Sequence, residues 1–198
     1  MTPLTPSLLE EFERCLREQG ARVVELWQDG VDDGQIAAAE EAIGERLPDE
    51  ARMWWRWHDG VPASAVTYAR HREFGPLHQF LPLDEAVART LRIRDSRALR
   101  QPGAPVWPHG WLEWTDVNAP MVIDCVVPEG APAPVHDADF GSYELEDVYT
   151  PVAASMGDMV RAWIDAIASG GWWWDRDLDR WMRDRSRLSG LTTRVRWF

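Results

Sequence analysis

The sequence predicts an α+β fold in which helices lie beside an antiparallel sheet, and three observations predict it. Helical patterns open the chain, strand patterns follow, and a helical pattern returns near residue 156, so the two element types are segregated. Met121-Val122-Ile123-Asp124-Cys125-Val126-Val127 is almost wholly apolar, as a strand covered on both faces would be. Met156, Met159, Val160, Trp163, Ile164 and Ile167 recur with the 3.6-residue period of a helix that buries one face.

The elements follow in order. Ser7–Gln19 places Leu8, Phe12 and Cys15/Leu16 on one face, and Gly20 stops it. Val23–Trp27 predicts a short strand or extended piece. Asp32-x-x-Gln35 is a capping-box pattern, with Ile36, Ala39 and Ile43 as the buried stripe and Gly44 as the stop. Leu47-Pro48 opens the next helix, because proline suits the first helical position and Asp49 and Glu50 suit the positive end of the dipole. Within it, Met53, Trp54 and Trp57 are expected in the core. Trp55 is then the surplus ring. Asp59-Gly60 ends the helix.

Short extended pieces broken by Gly75-Pro76 fill the stretch from Val66 to Leu81. Leu81-Pro82-Leu83-Asp84 opens a helix with Ala86, Val87, Thr90 and Leu91 inward. Residues 101–105 read as a loop. Trp111–Trp114 is a strand that reaches the turn residues Asp116 and Asn118. Val135–Phe140 and Tyr143–Tyr149 are two more strand candidates. Ser155-x-x-Asp158 caps the late helix, which Ser169-Gly170-Gly171 ends. The tail reads as a further short helix from Asp175, with Leu178, Trp181 and Met182 on one face. Residues 1–170 are therefore expected to form one domain, and residues 171–198 a Trp/Arg-rich extension packed on it.

With 198 residues the chain can bury a core without staples. No run of apolar residues is long enough for a membrane span, and the opening MTPLTPSLLEEFERC lacks a basic n-region before an apolar core. Cys15 and Cys125 are far apart and form no CxxC pair, so free thiols in a cytoplasmic protein are expected.

The net charge is −12, and all 21 basic residues are arginine. Residues 151–198 carry eight Arg and six Asp, so the remaining thirteen Arg face twenty-seven acids, a net of −14. Such a body repels nucleic acid and anionic lipid and attracts basic proteins.

Enzyme signatures are missing: there is no GxSxG, GxxxxGKS or GxGxxG. The five histidines have no metal-ligand spacing. Asp137 and Asp139 could share a cation on one side of a strand, but a calcium loop needs more ligands, so ordinary surface charge is expected. Cys125 sits in the most apolar strand, where burial makes a thiol inert. The tail interleaves arginines with Trp172–Trp174 and Trp181, and the expected arrangement is a helix whose arginines pair with Asp175, Asp177, Asp179 and Asp184. No catalytic residue, metal or cofactor is expected.

The ordered motifs resemble the SUKH superfamily, which includes fungal cell-wall-assembly regulators and bacterial toxin-immunity proteins. A capped helix with Ile36 and Ile43 leads to Leu47-Pro48, an aromatic helix and Asp59-Gly60. Leu81-Pro82-Leu83, Trp111, the apolar strand with Asp124, and Ser155 follow in order, covering residues 31–168. Asp59-Gly60 stands where the family has Asn-Gly, and Ala119-Pro120 where it often has Gly-Asp. The Trp172–Trp174 run and the arginine tail are additions.

The resemblance implies a central antiparallel sheet and protein binding without catalysis. The partner it implies is a cognate toxin, basic and nuclease-like, occluded at its active surface. The alternative is a regulatory scaffold in cell-wall or signalling assemblies. Candidate contact acids are Asp116, Asp137, Asp139, Glu144, Glu146 and Asp147, with Trp55, Trp172, Trp173 and Trp174 as anchors.

Overall fold

The structure is a computed structural model that describes residues 1–66, 68–76, 78–98, 107–116, 120–138 and 149–188. Helix α1 spans Pro6–Gln19, capped by the Thr5 hydroxyl, which accepts from Leu8 N at 3.2 Å, and closed by Gly20 at φ 78°. Helix α2 (Asp33–Ile43) has both halves of its capping box: Gln35 N donates to Asp32 at 2.8 Å, and Asp32 N to Gln35 at 3.0 Å. Helices α3 (Asp49–Trp57), α4 (Leu83–Ala98) and α5 (Met156–Ala168) follow, and a last turn, α6, covers Arg185–Leu188. The extended piece expected at Val23–Trp27 is instead a 3-10 turn, Arg22–Glu25, with Val23 and Val24 inward. β-branched residues favour a strand only where a neighbour offers a ladder, and here they pack against α1.

Five antiparallel strands form the sheet in sequence order: β1 (Glu73–Gly75), β2 (His78–Phe80), β3 (Trp111–Asp116), β4 (Met121–Asp124) and β5 (Val135–Asp137). The fold is α+β, a central antiparallel sheet flanked by helices. The apolar run stops pairing at Asp124, whose carboxylate accepts from Val126 N at 2.8 Å and turns the chain, leaving Val126 exposed. Strand β2 is short, so part of β3 lies beside α4. There Glu113 N donates to the Thr90 hydroxyl at 2.9 Å, a side chain taking the place of a ladder partner.

The main core lies between the sheet and α1, α3 and α5. Leu112, Trp114, Met121, Ile123 and Val135 face Phe12, Trp54, Met159, Val160 and Trp163 in it. A smaller cluster of Trp107, Trp111, Val122 and Ala138 includes β3 and β4 residues that alternate with those of the main core. The centre is aromatic: Trp54 lies edge-on to Trp114 at 5.1 Å and against Phe80 at 4.6 Å, and Trp163 contacts Trp114 at 5.0 Å and Phe74 at 4.7 Å.

Residues 172–183 form a hairpin where a helix is expected. Strand β6 (Trp172–Asp175) pairs with β7 (Arg180–Arg183), Trp174 opposite Trp181. Asp175 accepts from Asp177 N (3.0 Å) and Leu178 N (2.9 Å), and Asp179 takes φ 50°, so the aspartates make a turn instead of a charged helix face. Trp181 donates to Glu73 O at 2.9 Å, which docks the hairpin on β1. The Trp172 ring fills the space over Gly75, where an added Cβ would come within 2.6 Å of it. Asp179 pairs with His71 (3.1 Å) and Arg22 (3.3 Å), both outside the tail. Leu178, expected inward, is on the exposed tip.

Four segments meet on Glu50, which is only 8 % exposed. Its carboxylate accepts from Leu4 N (2.9 Å), Ala133 N (2.9 Å), Met156 N (3.2 Å) and Gly157 N (3.4 Å). The last two are the first N–H groups of α5, whose N-cap Ser155 also donates to Thr2 O at 2.8 Å. Replacing Glu50 by Ala orphans these buried donors and is expected to cost about 3 kcal/mol or more in urea unfolding. Glu50→Gln keeps one acceptor oxygen and loses less. A Glu50→Ala protein as stable as wild type contradicts this assignment.

Candidate interaction surface

The expected anchors are largely core. Trp54 and Trp55 are both fully buried, whereas Met53 and Trp57 are half-buried. Trp55 is not a surplus ring: its indole donates to Leu81 O at 3.1 Å, and its own carbonyl accepts from Val31 N at 2.9 Å. Helix α3 has the sheet core on one side and the 28–31 and 81–83 segments on the other, so its buried face is Glu50, Ala51, Trp54 and Trp55. Trp172 and Trp174 are buried by the alternation of the hairpin. Trp173, paired across it with Met182, stays half-buried.

Asp137 is buried on β5 opposite Met121, which corrects its reading as a surface contact acid. Asp116 ends β3 opposite Gln79. Asp139, Glu144, Glu146 and Asp147 lie outside the described residues, as does most of the strand candidate at Tyr143–Tyr149. Among the described residues no group of three or more His, Cys, Asp or Glu side chains converges as a metal site. Both cysteines are free, and burial pushes the Cys125 thiol up to about 12. No helix among the described residues is long and apolar enough to cross a membrane.

Among the described residues, surface depressions lie between α1 and α3 and between α2 and α4. One, of ≈ 460 Å³, lies between α1 and α3 over Leu9, Met53 and Trp57. Its rim carries Glu10 and Asp49 but also Arg52 and Arg56, which pair with Glu40 and Asp33. The rim therefore carries charges of both signs.

The other, of ≈ 570 Å³, runs between α2 and α4. Ala38 and Ala42 on α2 face Val87, Ala88 and Leu91 on α4, over Val31 and Pro82. Its charged lining groups are Asp59 and Asp84, both acidic. The local chain explains their place. Gly60 (φ 63°) lets the backbone pass Phe80 O, where a Cβ would stand 2.6 Å away. Asp59 then reaches across to accept from Leu83 N at 2.7 Å and caps α4.

Asp59 is half-buried, and neither it nor Asp84 forms an ion pair among the described residues. Desolvation, with Asp84 adding to it, pushes the Asp59 carboxyl up to about 6 despite the Leu83 amide. In the sequence Asp59-Gly60 and Leu83-Asp84 have the form of helix punctuation. The signal for a cleft, two helix starts each followed by exposed alanines, is too common to mark one.

Compared with known proteins, the chain matches no family model and no curated protein.

Buried His78 and half-buried Asp59 set opposing pH responses. His78, fully buried and stacked on Phe74 at 5.7 Å, is pushed by desolvation down to about 3. Between the ordinary histidine value of 6.5 and about 3, the unfolded chain binds a proton that the native state refuses. Stability from this group therefore falls on acidification, by at most ~1.4 kcal/mol per pH unit. Asp59 acts the other way: from about 6 down to 3.8 the native state takes up its proton first and gains stability. Urea unfolding across this range is expected to show a shallower acid-side decline in His78→Leu and a steeper one in Asp59→Asn. Unchanged slopes in both variants contradict the assignment.

Proposed function

We propose that this chain is a non-enzymatic protein-binding domain of the immunity type, which neutralises a basic, toxin-like protein by covering its active surface. The observation that carries the reading is charge placed on a receptive surface. A body of net −14 holds an apolar interhelical cleft whose charged liners are both carboxylates. Such a field steers a basic partner to fast encounter, and desolvated contacts inside the cleft then set how long it stays. The order of SUKH-like motifs along residues 31–168 supports the same class. Cytoplasmic placement belongs to this reading, since a producer cell is protected where the toxin would act.

The test is co-expression with the protein encoded by the neighbouring gene. Wild-type chain is expected to restore growth of cells making a toxic basic domain from that gene. It is also expected to form an equimolar complex whose affinity drops steeply with added salt, because exposed charges are screened within about 10 Å at moderate ionic strength. Absence of protection, or turnover of a small compound by the purified chain that one polar substitution abolishes, defeats the proposal.

A further inference from the structure

We propose that the cleft between α2 and α4 seats an arginine-bearing, amphipathic segment of the protein partner, its aliphatic parts on the alanine wall and its guanidinium against Asp59 and Asp84. This rests on the protein-binding reading above and adds where the partner enters and with what chemistry. The α1–α3 groove is the competing surface, but its rim carries both signs of charge and its arginines are already paired.

The α2–α4 cleft differs in three respects. First, its walls are open: Ala38, Ala42 and Ala88 are exposed, and residues four apart on α2 present one continuous small-side-chain strip. A bulkier segment can approach both helix backbones there. Second, Val31, Val87 and Leu91 give the strip an apolar floor, which suits the methylene stem of an arginine or an adjoining leucine.

Third, the charge at its end is uncompensated. Asp59 accepts a single backbone N–H, from Leu83, and Asp84 accepts one from Glu85 at 2.6 Å. Gln28 and Gln35 complete the polar rim without bringing a positive charge. A half-buried carboxylate beside a second carboxylate favours a cation strongly, and a planar guanidinium can donate to both at once. Burial and Asp84 already hold the Asp59 proton affinity high, the response of an anion that lacks a cation.

The experiment uses the full chain and a synthetic helical peptide with leucine along one face and arginine along one edge, followed by amide NMR shifts. An otherwise identical peptide with glutamate for arginine is the control. The arginine peptide is expected to shift the amides of Ala38, Ala42, Ala88 and Leu91. Ala42→Trp, which fills the cleft from an exposed helix position, and Asp84→Arg, which reverses its charge, are each expected to weaken binding about tenfold or more, ~1.4 kcal/mol. Met53→Glu in the α1–α3 groove leaves it unchanged. Circular dichroism verifies that each variant is folded, and Asp84→Arg alone suffices if Ala42→Trp is not.

The proposal is overturned if the arginine peptide binds both folded cleft variants like wild type, if the glutamate peptide produces the same shifts, or if no peptide binds. The growth assay separates this from the immunity reading. Full protection by Ala42→Trp and Asp84→Arg removes the cleft as the partner's seat and leaves that reading intact. Peptide binding at the cleft by a chain that never protects does the reverse.

Discussion

The buried carboxylate of Glu50 is the constraint on which the arrangement of this molecule depends. A charge in a protein interior is costly unless donors surround it. Here the donors come from the N-terminal segment, the loop before β5 and the first turn of α5. Each is a backbone N–H that would otherwise be orphaned, so one side chain satisfies several groups that lack ladder or helix partners. Because Glu50 lies in the first turn of α3, that helix is fixed in rotation and in depth. The approach of the N-terminal segment is so close that only glycine fits at Gly157, where an added Cβ would stand 2.3 Å from Thr2 O. Asp158 closes the junction from the other side by accepting from Thr2 N at 2.6 Å.

Fixing α3 fixes the aromatic centre. With Glu50 and Ala51 inward, Trp54 and Trp55 must follow one turn later, and Trp54 lands among Phe74, Phe80, Trp114 and Trp163. Among the described residues the indole N–H groups of Trp54, Trp114 and Trp163 find no hydrogen-bond partner, which by itself opposes folding by about 1 kcal/mol or more each. The edge-on packing of Trp54 on Trp114 offers partial compensation, since the positive edge of one ring meets the negative face of the other. The larger compensation is area, because each of these rings removes some 150–250 Å² from water. His78 tolerates the same surroundings by staying neutral, at the expense of the acid side of the stability curve.

Much of this was legible where local chemistry decides the outcome. The caps Asp32, Gln35 and Ser155, the stops Gly20 and Gly44, and the periodicity of Met156–Ile167 all lie within a few residues of their partners. The failures are tertiary. Glu50 reads as an ordinary first-turn acid, and nothing nearby announces that its partners sit up to 107 residues away. The face of α3 was misjudged for that reason, since three tryptophans in four residues allow more than one stripe. In the tail Asp184 pairs with Arg187 as expected, but Asp175, Asp177 and Asp179 make a turn instead of a helix face, and Asp179 finds Arg22 and His71 outside the tail. Of the candidate surface, the acidity was legible and the cleft was not, because alanines signal a groove only when a second helix stands opposite.

Asp59 differs from several half-buried acids of the scaffold, and the contrast bears on function. Glu11 pairs with Arg161 at 2.7 Å, Glu40 with Arg52 at 2.5 Å, and Glu85 with both Arg72 and Arg89. A chain with 21 arginines has ample means to neutralise one more site. Asp59 is left with a single amide and a neighbouring carboxylate, an arrangement that raises the free energy of the native state at neutral pH. Asparagine at this position could cap α4 equally well without the charge. The charge adds only its interaction with the positive end of α4, which burial and the neighbouring Asp84 oppose. A cation delivered by the proposed partner would remove this cost on binding, so the carboxylate that weakens the free domain would strengthen the proposed complex.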